Sequence, residues 1–299
     1  MTSNNEFSKI SRRDLLAASA GMASAVLLPV SESPAEDDGS SDFRIIDTNV
    51  SLFQWPFRRL PLDNSVSLSE KLHSLGVTEA WAGSFEGVFQ RDLAGVNTRL
   101  VEECRKHRTF IPIGSVNLML PGWRDDLRRC LEEHGMAGIR LHPNYHGYTL
   151  EFPAFARLLD IATEAGRFVQ IAVAMEDTRT QHEKVRVPDV DLAPLVTILK
   201  NKPQARVQLL NHRPRSPLLN QLAELPGVYF DTARVEGTDG VPRLVESVQA
   251  GRVMFGSHAP FLIPEAALIR THESGLLDEP SLRAVFSGNA ERFRKGSVT

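Results

Sequence analysis

Apolar residues recur along this chain in two alternating rhythms. Short runs of mostly apolar residues lie at Phe43–Thr48, Glu79–Ser84, Thr109–Val116, Gly138–His142, Phe168–Val173, Val207–Leu210, Val228–Asp231 and Val253–Gly256. Between them, apolar positions fall every three or four residues over Ser69–Leu75, Leu93–His107, Trp123–His134, Pro153–Ala165, Leu192–Lys200, Pro217–Leu225, Val241–Ala250 and Pro264–His272. In Pro153–Ala165 the residues Phe155, Leu158, Leu159 and Ala162 form one helical stripe. Strands that alternate with helices pair in parallel. Strands that are nearly continuous apolar runs are covered on both faces. The pattern predicts an α/β fold, a single (β/α)8 TIM-type barrel. A doubly wound open sheet would bring a Gly-rich phosphate turn after an early strand, and none is present.

The first residues break this rhythm. Ser11-Arg-Arg-Asp-Leu-Leu16 carries an arginine pair, followed by an Ala/Gly-rich apolar run from Leu15 to Val30. That run is shorter than the ~20 residues of a membrane-spanning helix. A charged start, a short apolar core and small residues before a cut are the parts of an export signal. Residues 1–35 therefore read as a twin-arginine-type signal directing the protein to the periplasm or beyond the cytoplasm, with a disordered tail or uncleaved anchor as the alternative. No stable membrane span is expected after its removal. Residues 36–42 read as an acidic linker. The barrel is expected over 43–299, close to the ~250 residues usual for one such barrel.

Charge and cysteine content narrow the picture further. The formal net charge is −3, with no basic run that would fit nucleic acid or an anionic membrane. The two cysteines, Cys104 and Cys130, form no CxxC and fall on predicted helices. A disulfide framework or Cys-rich zinc module is therefore not expected. A small-molecule substrate is the expected partner, and a homo-oligomer is compatible with the sequence.

Barrel enzymes place their chemistry at the C-terminal ends of the strands. The first strand is followed by Asp47, Asn49, Ser51 and then Trp55-Pro-Phe-Arg-Arg59, an aromatic and basic segment able to wall a pocket. Arg140 and His142 lie at the end of the fourth strand, Glu176 and Asp177 after the fifth, His212 after the sixth, Asp231 on the seventh and His258 after the eighth. Arg140, if buried, needs an acidic partner such as Asp47 or Asp231. Asp177 has two readings, substrate contact or a loop ion pair with Arg179. His142, His212 and His258 together are a candidate three-imidazole site for one divalent metal, zinc first, leaving a position open for water.

Four segments carry a family resemblance. They are Ile46-Asp-Thr-Asn-Val-Ser51, Gly138-Ile-Arg-Leu-His-Pro143, Arg252-Val-Met-Phe-Gly-Ser-His-Ala-Pro-Phe261 and Phe286-Ser-Gly-Asn-Ala-Glu-Arg-Phe293. They resemble the amidohydrolase superfamily, in its amidohydrolase-related (amidohydrolase 2) branch. The resemblance implies a barrel and two metal-binding histidines where this chain has Asn49 and Ser51. It also implies a metal histidine near Ala172 or Ala174 and a metal-binding aspartate at His258. His212 matches a histidine that the family keeps. The resemblance implies a hydrolase for a small anionic or carbonyl-containing substrate, here with a rewired site. His258, His212 and Asp47 are the candidate catalytic residues. Asn49, Trp55, Arg58, Arg140, Glu176, Asp177 and Asp231 are the candidate substrate contacts. The alternatives are a decarboxylase-type lyase of the same branch or an inactive barrel that binds a ligand or partner.

Overall fold

Burial on both faces is what makes these strands. All eight residues of β1 (Ile45–Leu52) are buried, as are all residues of Phe168–Ala172, Val207–Leu210 and Val228–Asp231. The structure is a computed structural model that describes residues 43–214, 218–272 and 275–296. The expected signal and linker, 1–42, lie outside the described residues.

Nine strands follow in chain order: β1, β2 (Val77–Ser84), β3 (Phe110–Pro112), β4 (Gly114–Ser115), β5 (Gly138–Leu141), β6 (Phe168–Ala172), β7 (Val207–Leu210), β8 (Val228–Asp231) and β9 (Val253–Met254). Each pairs in parallel with the next, except that β3 and β4 are halves of one barrel strand. The sequence predicts one strand over Thr109–Val116, but Pro112 has no N–H to give to the ladder. The chain changes partners there, and Ile113 N donates to Ala82 O at 2.9 Å. The ring closes at β1, where Val50 bridges Ala259 and Thr48 N donates to Phe255 O at 2.9 Å.

The eighth strand is shorter than predicted because Phe255 N donates to Val285 O and leaves the ladder for the C-terminal helical segment. The first helix, Ser65–Ser74, starts earlier than its apolar stripe because the Asn64 side chain caps the N–H groups of Val66 and Ser67. The stretch Trp123–His134 is helical as expected but widens into a π turn over Arg129–Glu133.

The lower barrel is closed by stacked rings. Trp81 lies 4.8 Å from Phe168, and Phe168 4.9 Å from Phe293 of the final helix (Asn289–Lys295). Asn289 Nδ2 holds that helix to the barrel by donating to Ala250 O and Val253 O. Cys104 and Cys130 are buried free thiols, and burial pushes both up to about 12.

Candidate functional site

A polar layer sits above these rings. Arg140 on β5 is buried. The sequence suggested Asp47 or Asp231 as its hydrogen-bond partner, but the structure gives it others. Arg140 donates to Gln170 Oε1 at 2.8 Å, Val50 O at 2.9 Å, Ser51 Oγ at 3.3 Å and Trp81 O at 3.2 Å. Gly83 makes room for it, since a Cβ there would lie 2.7 Å from Arg140 Nη1. Arg140 is therefore part of the barrel interior, and its charge acts on the two aspartates through space. Burial lowers its pKa to about 10 against the opposite pull of Asp231 and Asp47. Gln170 Nε2 continues the layer to Thr48 O and Gln208 Oε1, and Gln208 Nε2 donates to Thr48 Oγ1.

The next residue of β1 reaches the site because the strand is irregular. Asp47 pairs with Ala80 and Val50 with Ala82, so β1 carries one extra residue. Side chains alternate along a regular strand, and a bulge lets neighbours break that alternation. Thr48 and Asn49 thus both contact far strands. Asn49 Nδ2 donates to Asn211 Oδ1 at 2.9 Å and to Asp231 Oδ2 at 2.7 Å. Asn211 N donates to Asp231 Oδ1 at 3.0 Å, and Asn211 Nδ2 to Ala174 O at 2.7 Å. Asp47 Oδ1 accepts from Asn49 N at 3.0 Å and Ser257 N at 2.9 Å. Its Oδ2 is buried with no hydrogen-bond partner. Burial dominates both acids: Asp47 is raised to about 6 despite its Ser257 and Asn49 contacts, and Asp231 to about 7 despite Asn49 and Asn211.

The three candidate metal histidines are all at strand ends, but they do not form a ligand set. Among the described residues, no group of three or more His, Cys, Asp or Glu side chains is placed to hold a metal ion. His258 Nε2 lies 2.8 Å from Met175 O. A carbonyl only accepts, so Nε2 carries the proton. Burial lowers His258 to about 3, which leaves a neutral ring whose Nδ1 is a bare acceptor, buried and unpartnered. His212 is lowered to about 4 and His142 well below its ordinary value, again first by burial, and each has an unpartnered buried Nδ1. His258 and Asn211 also hold left-handed backbone, with φ of 58° and 59°. That is a sparsely populated region for residues with a Cβ.

The loop after β1 forms an aromatic wall. Trp55 is buried rather than lining an open face, with ring centroids 5.0 Å from Phe261, 5.1 Å from Phe89 and 5.4 Å from Phe85. Phe57 stacks on His182 at 5.2 Å, and Phe261 on His258 at 5.0 Å. Arg58 lies over Phe261 and places Nε 3.1 Å from Glu176 Oε1, pairing a half-exposed guanidinium with a buried carboxylate. Neither Glu176 oxygen receives an aligned hydrogen bond, and the Trp55 and Tyr145 polar atoms are likewise unpartnered. Burial raises the Glu176 pKa against the pull of Arg58 and the nearby Trp55 indole.

Asp177 follows its ion-pair reading. It accepts from Arg179 at 2.9 Å and Arg213 at 2.9 Å, with Arg234 at 3.7 Å, and Arg179 foremost holds its carboxyl well below the usual range. It organises an arginine-rich rim.

Several residues of this site escaped the sequence reading. Asn211, Ser257, Gln170 and Gln208 lie on or beside apolar strands. A polar side chain interrupting a two-face-buried strand was the available signal. Tyr145 and Phe261 join through loops whose course no periodicity predicts.

Among curated protein sequences none matches this chain. The barrel is similar to several solved structures. One is a 2,6-dihydroxybenzoate decarboxylase from Rhizobium (14% identity, 83% of this chain and 99% of that one, TM-score 0.63). Another is a dihydroxybenzoic acid decarboxylase from Polaromonas sp. JS666 with bound manganese and 2-nitroresorcinol (12% identity, 84% and 97%, TM-score 0.63). A third is a putative amidohydrolase from Staphylococcus aureus (10% identity, 84% and 99%, TM-score 0.65). At these identities the likeness is one of fold. The sequence model of the family described as Amidohydrolase matches residues 57–293, and the chain belongs to that amidohydrolase family.

Proposed function

We propose that this chain is a lyase of decarboxylase type acting on a small hydroxylated aromatic carboxylate. The observation that carries the reading is the pairing of two unpartnered groups across one peptide. Asp47 is fixed by Ser257 N, and His258, the next residue, presents a bare Nδ1. The decarboxylases of the same fold support the reaction class, and weigh it above the hydrolysis expected from the family resemblance. Four arginines at the rim (Arg58, Arg179, Arg213 and Arg234) suit a carboxylate, and the part-exposed Phe57 and Phe261, backed by buried Trp55, suit an aromatic ring.

In this reading Asp47 in its acid form gives its proton to the ring carbon that bears the carboxylate. The carbon–carbon bond then breaks, carbon dioxide leaves, and the bonding pair stays with the ring. Asp47 regains a proton from solvent. His258 Nδ1 accepts a hydrogen bond from a ring hydroxyl and orients the ring. A pKa near 6 suits an acid at mildly acidic to neutral pH.

Manganese is part of one neighbour's structure, but the residues here do not fit such an ion. Of the positions that the family motif gives to ligands, Asn49, Ser51 and Ala172 or Ala174 offer amide, hydroxyl and methyl groups, poor or null donors, and the two imidazoles that remain, His212 and His258, are not joined by a third ligand among the described residues. No step above uses a metal. Hydrolysis remains a second reading because Asp47, once deprotonated, would accept a proton from water.

The test is a panel of ortho-hydroxybenzoates, esters and lactones, with products followed by chromatography and carbon dioxide by trapping. The expected result is equimolar carbon dioxide and decarboxylated phenol from at least one hydroxybenzoate. Ester or lactone cleavage alone would favour the hydrolase, and no turnover at all the binding barrel.

A further inference from the structure

We infer that the Asn49 side chain takes the structural place of a metal ion, tying the strand ends together so that this site works without one. A divalent ion at a barrel mouth cross-links strand ends by binding their carboxylates. Here an amide does that work. Its two N–H bonds are the only ones it has, and they go to Asn211 beyond β7 and Asp231 on β8. Asn211 returns a bond to the other Asp231 oxygen and reaches Ala174 beyond β6. Four strand ends are thereby joined, and both Asp231 oxygens are committed to N–H donors.

Space and charge point the same way. Gly256 packs so closely that a Cβ would lie 3.1 Å from the Cβ atoms of both Asn49 and Asp231 and 3.2 Å from Asp231 Oδ2. A cation at ~2.0–2.2 Å from that carboxylate oxygen would compete with the 2.7 Å Asn49 contact for it. Below the clamp, Arg140 already supplies a buried positive charge to Asp47 and Asp231. Ser51, the second family ligand position, accepts a hydrogen bond from that guanidinium. A divalent ion would therefore meet a buried like charge and an aspartate whose two oxygens each already accept an N–H bond.

The experiment uses the full chain, dialysed against chelator, then incubated with excess manganese or zinc and desalted. Metal content and thermal midpoint are read, so the outcome is independent of whether the chain decarboxylates anything. The wild type is expected to retain less than about 0.1 equivalent and to shift by less than about 1 °C, since an ion bound only by the native state would raise the midpoint. Asn49→Ala is expected to lower the midpoint by about 5 °C, because Asp231 and Asn211 lose a shared donor in a buried site. Asn49→Asp, which sets two carboxylates face to face, is expected to gain a manganese-dependent rise that the wild type lacks. Near one equivalent of metal in the wild type, or an unchanged midpoint in Asn49→Ala, would overturn the inference.

Discussion

The floor and the mouth of this barrel are built by opposite rules. At the floor, the Trp81, Phe168, Tyr229 and Phe293 rings stack, and Asn289 gives both its N–H bonds to backbone. The layer above is also closed, with Thr48, Arg140, Gln170 and Gln208 bonded to one another or to carbonyls. At the mouth, Asp47 Oδ2 and an Nδ1 on each of His142, His212 and His258 are buried without hydrogen-bond partners, and Glu176 is held only by the Arg58 ion pair. Buried polar groups are normally satisfied, because leaving one bare costs roughly 1–3 kcal/mol. The closed layer leaves none of these groups bare, whereas the mouth joins a satisfied Asn49–Asn211–Asp231 network to neighbours with unused hydrogen-bonding atoms.

A one-atom change at the mouth separates its chemistry from its packing. Asp47→Asn keeps the acceptor for Asn49 and Ser257 but removes the acid. Turnover of the best hydroxybenzoate is expected to fall at least ~100-fold, the usual scale for a lost general acid, with the thermal midpoint nearly unchanged. Equal turnover would remove Asp47 from the chemistry.

The reverse experiment is in the closed polar layer. Arg140→Met leaves Gln170, Val50 O and Trp81 O without their donor, and stability is expected to drop by about 3 kcal/mol or more, roughly 10 °C in midpoint. A midpoint within a degree or two of wild type would show that the polar layer is not what holds the barrel.

Arg58→Ala sharpens the picture of the rim. Loss of a charge-assisted contact there is expected to raise KM for a carboxylate substrate about tenfold, with kcat within about threefold. A fall in kcat alone would place Arg58 in the chemical step.

The smallest expected effect is on pH. His142, His146, His212 and His258 all have folded values below their ordinary one, first because they are buried. The unfolded chain therefore binds more protons as pH drops below about 6.5, and stability contributed by the neutral rings is lost on that side. Asp47 and Asp231, raised to about 6 and about 7, act in the opposite sense. Their contribution is present at low pH and is lost as pH rises through those values. His272 is lowered too, and Glu176 and Asp126 are raised; with five histidines against four acids, the midpoint is expected to fall modestly between pH 6.5 and 5. A rise over that interval would mean that the acids dominate.

The sequence shows the barrel plainly and the site only in outline. The strands were legible because burial on both faces leaves a run of apolar letters, and the helices because their stripes recur. What it hid was local. Pro112 splits one strand in two, and nothing in the periodicity announces where the halves re-pair. The extra residue in β1 turns Asn49 toward Asp231, and a bulge has no letter of its own. Asp47 and His258 could be named from the strand-end rule. Their bare atoms could not, since those depend on which oxygen Ser257 N happens to fill and on the carbonyl of Met175 reaching His258 Nε2. Arg140 was expected beside an acid because a buried charge needs a partner, and four neutral acceptors met that need instead.

In the proposed reaction the mouth transfers protons with its own side chains. The most direct test is carbon dioxide release from 2,6-dihydroxybenzoate and related hydroxybenzoates at pH 6, by chelator-dialysed wild type beside Asp47→Asn. The account predicts one carbon dioxide per molecule of substrate consumed by the wild type and a loss of at least ~100-fold in the variant. No carbon dioxide from any of these acids, or equal rates from both proteins, would contradict it.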